Sequence, residues 1–159
     1  MKRLLFAIIF AVVPTIVLAQ EISFTNPDIE FKFKRCICTG SVAYIDLVIT
    51  NYSGKTMTPY CGHLDRKYGP DMLVSRVYDD EGNEYVPTAK IGDDYHMFGV
   101  GFEFQLPPEV PIKMRITIKD VDKYAAEFTM LTMGFANMDT GIPYDEGVLK
   151  VRHIPITRQ

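Results

Sequence analysis

Hydrophobic and polar positions alternate with a period of two along most of this chain, the repeat of strands that bury one face. Residues 29–37 set Ile29, Phe31, Phe33 and Ile37 on one side, with Glu30, Lys32 and Lys34 on the other. Thr39-Gly40 then turns the chain, and residues 42–50 set Ala43, Ile45, Leu47 and Ile49 inward. Asn51-Tyr52-Ser53-Gly54 closes that strand. Residues 56–63 predict a weaker strand, interrupted by Pro59, and residues 72–78 a further one. Asp79 to Asn83 supplies a turn into Glu84-Tyr85-Val86, so a hairpin is predicted there.

Residues 88–99 are polar and contain glycine, which predicts a long loop. Residues 100–106 direct Val100, Phe102, Phe104 and Leu106 inward, and the proline-rich segment 107–111 cannot donate to a central ladder. Residues 112–119 alternate cleanly, Ile112, Met114, Ile116 and Ile118 against Lys113, Arg115, Thr117 and Lys119. Asp120 to Ala126 suits one helical turn. Residues 127–136 are apolar on both faces, through Phe128 and Met130 but also Leu131, Met133 and Phe135, which predicts a central strand covered on both sides. Residues 147–156 predict the last strand. Seven to nine short strands with closely spaced turns predict an all-β fold, an antiparallel β-sandwich, with a closed barrel as the alternative.

Four segments carry a resemblance. They are Leu47 to Asn51, Val77 to Tyr85, Leu106 to Lys113 and Ile118 to Val121. Together they resemble the immunoglobulin-like β-sandwich domains of unknown function found in bacterial exported proteins. The chain departs from antibody-type domains in having no Trp and no matching Cys pair. The resemblance implies a fold and transfers no active site.

The N-terminus differs from the rest. Lys2 and Arg3 precede an apolar run from Leu4 to Leu18, and Val17-Leu18-Ala19 supplies small residues before Gln20. This is the grammar of a cleaved signal peptide over 1–19, leaving residues 20–159 as a single domain. The run is short of the ~20 apolar residues a membrane span needs. A domain of this size buries ~68% of its unfolded surface. Phe and Tyr number 10 and 9, which favours strands. The whole chain carries a net charge of −3, and loss of Lys2 and Arg3 makes the remainder more acidic. That balance gives no electrostatic case for nucleic acid or an anionic membrane as partner.

Candidate chemistry centres on Cys36, Cys38 and Cys61. Export makes a disulfide the default. Cys36 and Cys38 sit on one face of a strand, ~6.7 Å apart at Cα with parallel Cβ vectors, at the limit of disulfide geometry. Cys61 is therefore expected to pair with Cys36 or Cys38, and a Cys38–Cys61 bridge would stabilise by about 3.5 kcal/mol in the chain-entropy model. The same cysteines with His63 offer three sulfurs and an imidazole, a set that suits zinc, although structural zinc sites space their ligands more widely. Cys61, His63 and Asp65 evoke a cysteine hydrolase, but nothing marks an oxyanion hole.

Asp93-Asp94-Tyr95-His96 and Asp79-Asp80-Glu81 lack the alternation of a calcium loop and read as solvated turns. His153 reads as a strand histidine, and Asn51-Tyr52-Ser53 matches a glycosylation acceptor. No catalytic or cofactor motif emerges, and no cofactor is expected. The expected function is an exported, non-enzymatic binding or structural module in the periplasm or outside the cell, with a protein or glycan partner. Its candidate recognition loops are 52–70 and 88–99, the first carrying the candidate recognition residues Tyr52, Tyr60 and Tyr68. The alternatives are a subunit or accessory protein of a cell-surface assembly and a small zinc-binding exported protein.

Overall fold

Alternation becomes a ladder wherever two such segments lie side by side. A computed structural model describes residues 20–61, 75–95, 102–137 and 146–159; residues 1–19, expected to be a signal peptide, fall outside them. Among these residues the chain forms thirteen strands and no helix. They are β1 (Glu21–Ser23), β2 (Ile29–Thr39), β3 (Val42–Asn51), β4 (Pro59–Cys61), β5 (Arg76–Asp79), β6 (Glu84–Tyr85) and β7 (Thr88–Ile91). The rest are β8 (Asp94–Tyr95), β9 (Phe102–Glu103), β10 (Ile112–Ile118), β11 (Glu127–Asn137), β12 (Glu146–Pro155) and β13 (Thr157–Arg158). Several are two-residue pairings too short to mark the sequence, so the count exceeds the seven to nine expected.

One sheet has the order β13-β2-β3-β10-β7-β8. The other runs β1-β12-β11, and the far edge of β11 is shared by β4, with β9 beyond it, and by β5, with β6 beyond it. All pairings between strands are antiparallel except β13 with β2. The sheets pack face to face through one apolar cluster. Ile45, Leu47, Ile49, Met114, Ile116 and Ile118 supply one side, and Phe128, Leu131, Met133, Leu149 and Val151 the other. Phe31 of β2 and Phe135 of β11 meet across the interface with ring centroids 5.8 Å apart. Phe24 completes this aromatic corner, and the tip of its ring sits against Gly147, where any Cβ would collide with it.

The β2–β3 hairpin turns on Gly40 and Ser41, because Thr39 pairs with Val42. Gly40 has φ +60°, a value two-residue hairpin loops require and glycine adopts freely. Gly92, φ +59°, opens an equivalent turn between Ile91 and Asp94. Residues 88–95 are therefore a β7–β8 hairpin rather than loop, and residues 96–101 lie outside the described part. Thr88 to Ile91 is a short strand that gains its pairing from β10. The segment 120–126 forms no helical turn. Asp120 takes φ +57°, and the Asp122 side chain accepts the Tyr124 main-chain N–H at 2.8 Å.

Two departures from alternation change which residues face the core. The β2–β3 register shifts between Phe33 and Arg35, so Lys34 and Arg35 are both exposed. Beyond the shift Cys36 and Cys38 turn inward while Ile37 moves to the outer side, the reverse of the sequence expectation. A second inversion crosses β11 and β12. The β5–β11 register shifts between Phe128 and Met130, and His153 opposite it takes φ +53°. Phe128 and Ile154 face the core before this level, and Leu131, Met133, Phe135, Leu149 and Val151 after it. Segment 127–136 thus reads as apolar on both faces because its phase flips. The strand is central in its sheet, as expected, but Met130 and Thr132 on its other side are only half-buried. No helix among the described residues is long and apolar enough to cross a membrane.

Candidate functional site

The outer face of the six-stranded sheet gathers a cluster of charged side chains from four neighbouring strands. Residues opposite one another across β2, β3, β10 and β7 form a row of Arg35, Asp46, Arg115 and Lys90. The next row holds Lys32, Val48 and Lys113. The irregularity in β2 adds Lys34 to the first row's edge. A groove of about 530 Å³ lies between these side chains. Val48 and Asp46 on β3 make its floor. Lys34 and Arg35 form one rim, and Lys113, Arg115 and Lys90 the other. The rims on β2 and β10 stand two strand spacings apart, ~9.6 Å between backbones.

Asp46 organises the cations. Its Oδ1 accepts Arg115 Nε at 2.7 Å, and its Oδ2 accepts Arg115 Nη2 at 3.0 Å and Arg35 Nε at 2.8 Å. The bidentate pairing fixes the Arg115 plane, and the guanidinium lies over the Tyr44 ring, 5.3 Å from its centroid. Arg115 donation holds the Asp46 carboxyl below its ordinary range, against partial burial and with help from Arg35. The same hydrogen bonds push the Arg115 pKa up. One carboxylate cannot neutralise two guanidiniums, so the trio keeps a net positive charge. Lys34, Lys90 and Lys113 are exposed, and no ion pair joins them to a carboxylate among the described residues. The groove thus holds five of the chain's 17 Lys and Arg residues against a single acid. Beside it Lys32 pairs with Glu30 at 2.9 Å, and the Tyr52 hydroxyl donates to Glu30 at 3.1 Å.

Alternation alone places Lys34, Lys113 and Arg115 on the outer faces of separate strands and does not bring them together as a site. A usable signal was present: β2 and β10 both alternate apolar with basic residues, and both flank β3.

The cysteines are buried and free. Cys36 faces the core opposite Ile45, and burial, with smaller contributions from Cys38 and Asp46, pushes its thiol up to about 12. Cys61 sits in the other sheet opposite Phe135, and burial pushes its thiol up to about 12. Cys38 Sγ lies 3.4 Å from the Gly40 carbonyl and 3.6 Å from Arg158 Nη1. No bridge joins Cys61 to Cys36 or Cys38 in this structure. His63, Asp65, Tyr68 and His96 lie outside the described residues. Among the described residues no three His, Cys, Asp or Glu side chains are grouped to hold a metal ion.

Most of the other candidates are committed to the fold, and Tyr52 is the exception. Tyr52 is 53% exposed, whereas Tyr60 on β4 is half-buried and its hydroxyl pKa is raised by burial. Asp79 is buried and accepts the main-chain N–H of Glu81 and Asn83, the Asn83 amide and the Tyr85 hydroxyl, the last at 2.6 Å. Asp80 accepts the Ala126 and Glu127 N–H groups. The Asn51 amide of the glycosylation motif is buried and donates to the carbonyls of Lys55 and Leu106, so it cannot serve as an acceptor in the folded chain. His153 Nδ1 lies 3.5 Å from Glu127. No family model and no curated protein matches the chain.

Proposed function

We propose that this chain is an exported, non-enzymatic module of immunoglobulin-like type that binds its partner through the outer face of the six-stranded sheet. One observation carries the reading: five cations from three strands converge on a groove whose floor carboxylate orients two of them, in a chain of net negative charge. Cations kept together without matching acids repel one another, a cost that recognition of an anion offsets. Residues 1–19 support export.

The test is calorimetry at physiological salt with oligogalacturonate, poly-L-glutamate and dextran as probes. Three forms are compared: the wild type, Lys90→Glu/Lys113→Glu in the groove, and Lys150→Glu/Arg152→Glu on the other sheet. The expected result is binding of an acidic polymer that the groove variant loses and the control variant keeps. Absence of binding to all three probes, or equal weakening in both variants, contradicts the proposal.

A further inference from the structure

We infer that the groove takes a linear acidic polysaccharide, a uronate-bearing glycan lying along β3 between the two basic rims. This rests on the binding role proposed above and names its ligand class. Three observations lead to it.

First, the cations are spread out rather than focused. Lys34 and Arg35 stand on one side of β3, and Lys113, Arg115 and Lys90 on the other, in rows ~6.8 Å apart along the strands. A single phosphate or carboxylate reaches only part of this set. A chain with a carboxylate on successive sugars meets both rims. The exposed ammonium groups are mobile point charges that accept carboxylates at varied positions.

Second, the floor is not purely cationic. Asp46 Oδ1 takes one hydrogen bond, and Asp46 remains partly exposed, 18% at its side chain. It can accept a hydroxyl, and the half-buried Val48 beside it offers an apolar surface to sugar C–H groups. Acceptor, apolar floor and basic rims match hydroxyl, C–H face and carboxylate on one uronate residue.

Third, the floor presents side chains without a free main-chain edge. β3 and β10 pair on both sides along the groove, whereas β13 covers β2 only at Ile37 and Cys38. Extended peptides are commonly gripped by main-chain hydrogen bonds at a sheet edge, which the floor along β3 does not offer. A glycan is held by side chains alone.

The experiment measures wild-type affinity for oligogalacturonate, for a neutral oligosaccharide of equal length, and for poly-L-glutamate and a single-stranded oligonucleotide of matched charge. Asp46→Asn and Lys90→Glu/Lys113→Glu are measured beside it, with thermal melts confirming that both fold. Oligogalacturonate is expected to bind at least tenfold tighter than every other probe. The double variant is expected to weaken it at least tenfold, and Asp46→Asn by a smaller factor. If the polypeptide or the oligonucleotide binds as tightly and the same double variant abolishes it, the ligand class is wrong and the binding face stands. If a neutral sugar binds equally well, the class is likewise wrong. If no probe binds, both readings fall.

Discussion

The Asp46 carboxylate receives both Nε and Nη2 of Arg115, at 2.7 and 3.0 Å, and so ties β3 to β10 on the sheet's outer face. Asp46→Asn keeps the shape and removes the charge that gathers Arg115 and Arg35. Because both arginines are about half exposed, solvent screens the pairs, and the expected loss is about 1 kcal/mol. Asp46 titrates below its ordinary range when folded, so its contribution is complete above the unfolded pKa and disappears as pH falls through the folded one. Urea unfolding of wild type and variant is expected to differ at pH 7 and to converge in acid. A constant difference across that range contradicts the assignment.

The buried thiols give a second prediction. Cys36 and Cys61 titrate near 12, so almost no thiolate exists at neutral pH in the folded chain. An aromatic disulfide reagent is expected to react slowly with native protein and to count three thiols once the chain is unfolded. Rapid native reaction, or a count of one, contradicts the arrangement of free, buried cysteines.

The β5–β6 turn gives a third. Tyr85 donates to Asp79 at 2.6 Å and accepts the Asp122 N–H at 3.1 Å, joining the hairpin to the segment after β10. Burial works to raise the Asp79 pKa, but the donors from Tyr85, Asn83 and Glu81 together hold it below its ordinary range. Tyr85→Phe removes one partner from each buried group and is expected to cost about 1–3 kcal/mol in denaturant unfolding. A neutral substitution shows that water or a shifted turn replaces the hydroxyl.

The sequence made most of the core legible where alternation runs unbroken. Ile45, Leu47 and Ile49 on β3 and Met114, Ile116 and Ile118 on β10 are buried as their spacing requires. It misled where the ladder slips. Nothing local marks the shift between Phe33 and Arg35, yet that shift turns Cys36 and Cys38 inward and Lys34 and Arg35 outward together. The left-handed backbone at His153 hides a second inversion in the same way. The basic groove was obscured for another reason. Its cations come from residues 34 to 115, and net charge averages over acids that lie elsewhere. Only the register of β2, β3, β10 and β7 brings them to one face.

The central claim is that this face is where the protein binds. The most direct measurement is an amide NMR titration of residues 20–159 with oligogalacturonate. The account predicts progressive shifts in residues of β2, β3, β10 and β7 around Asp46, with β11 and β12 unchanged. Shifts confined to the β11–β12 sheet or the end loops, or no shifts at millimolar ligand, would contradict it.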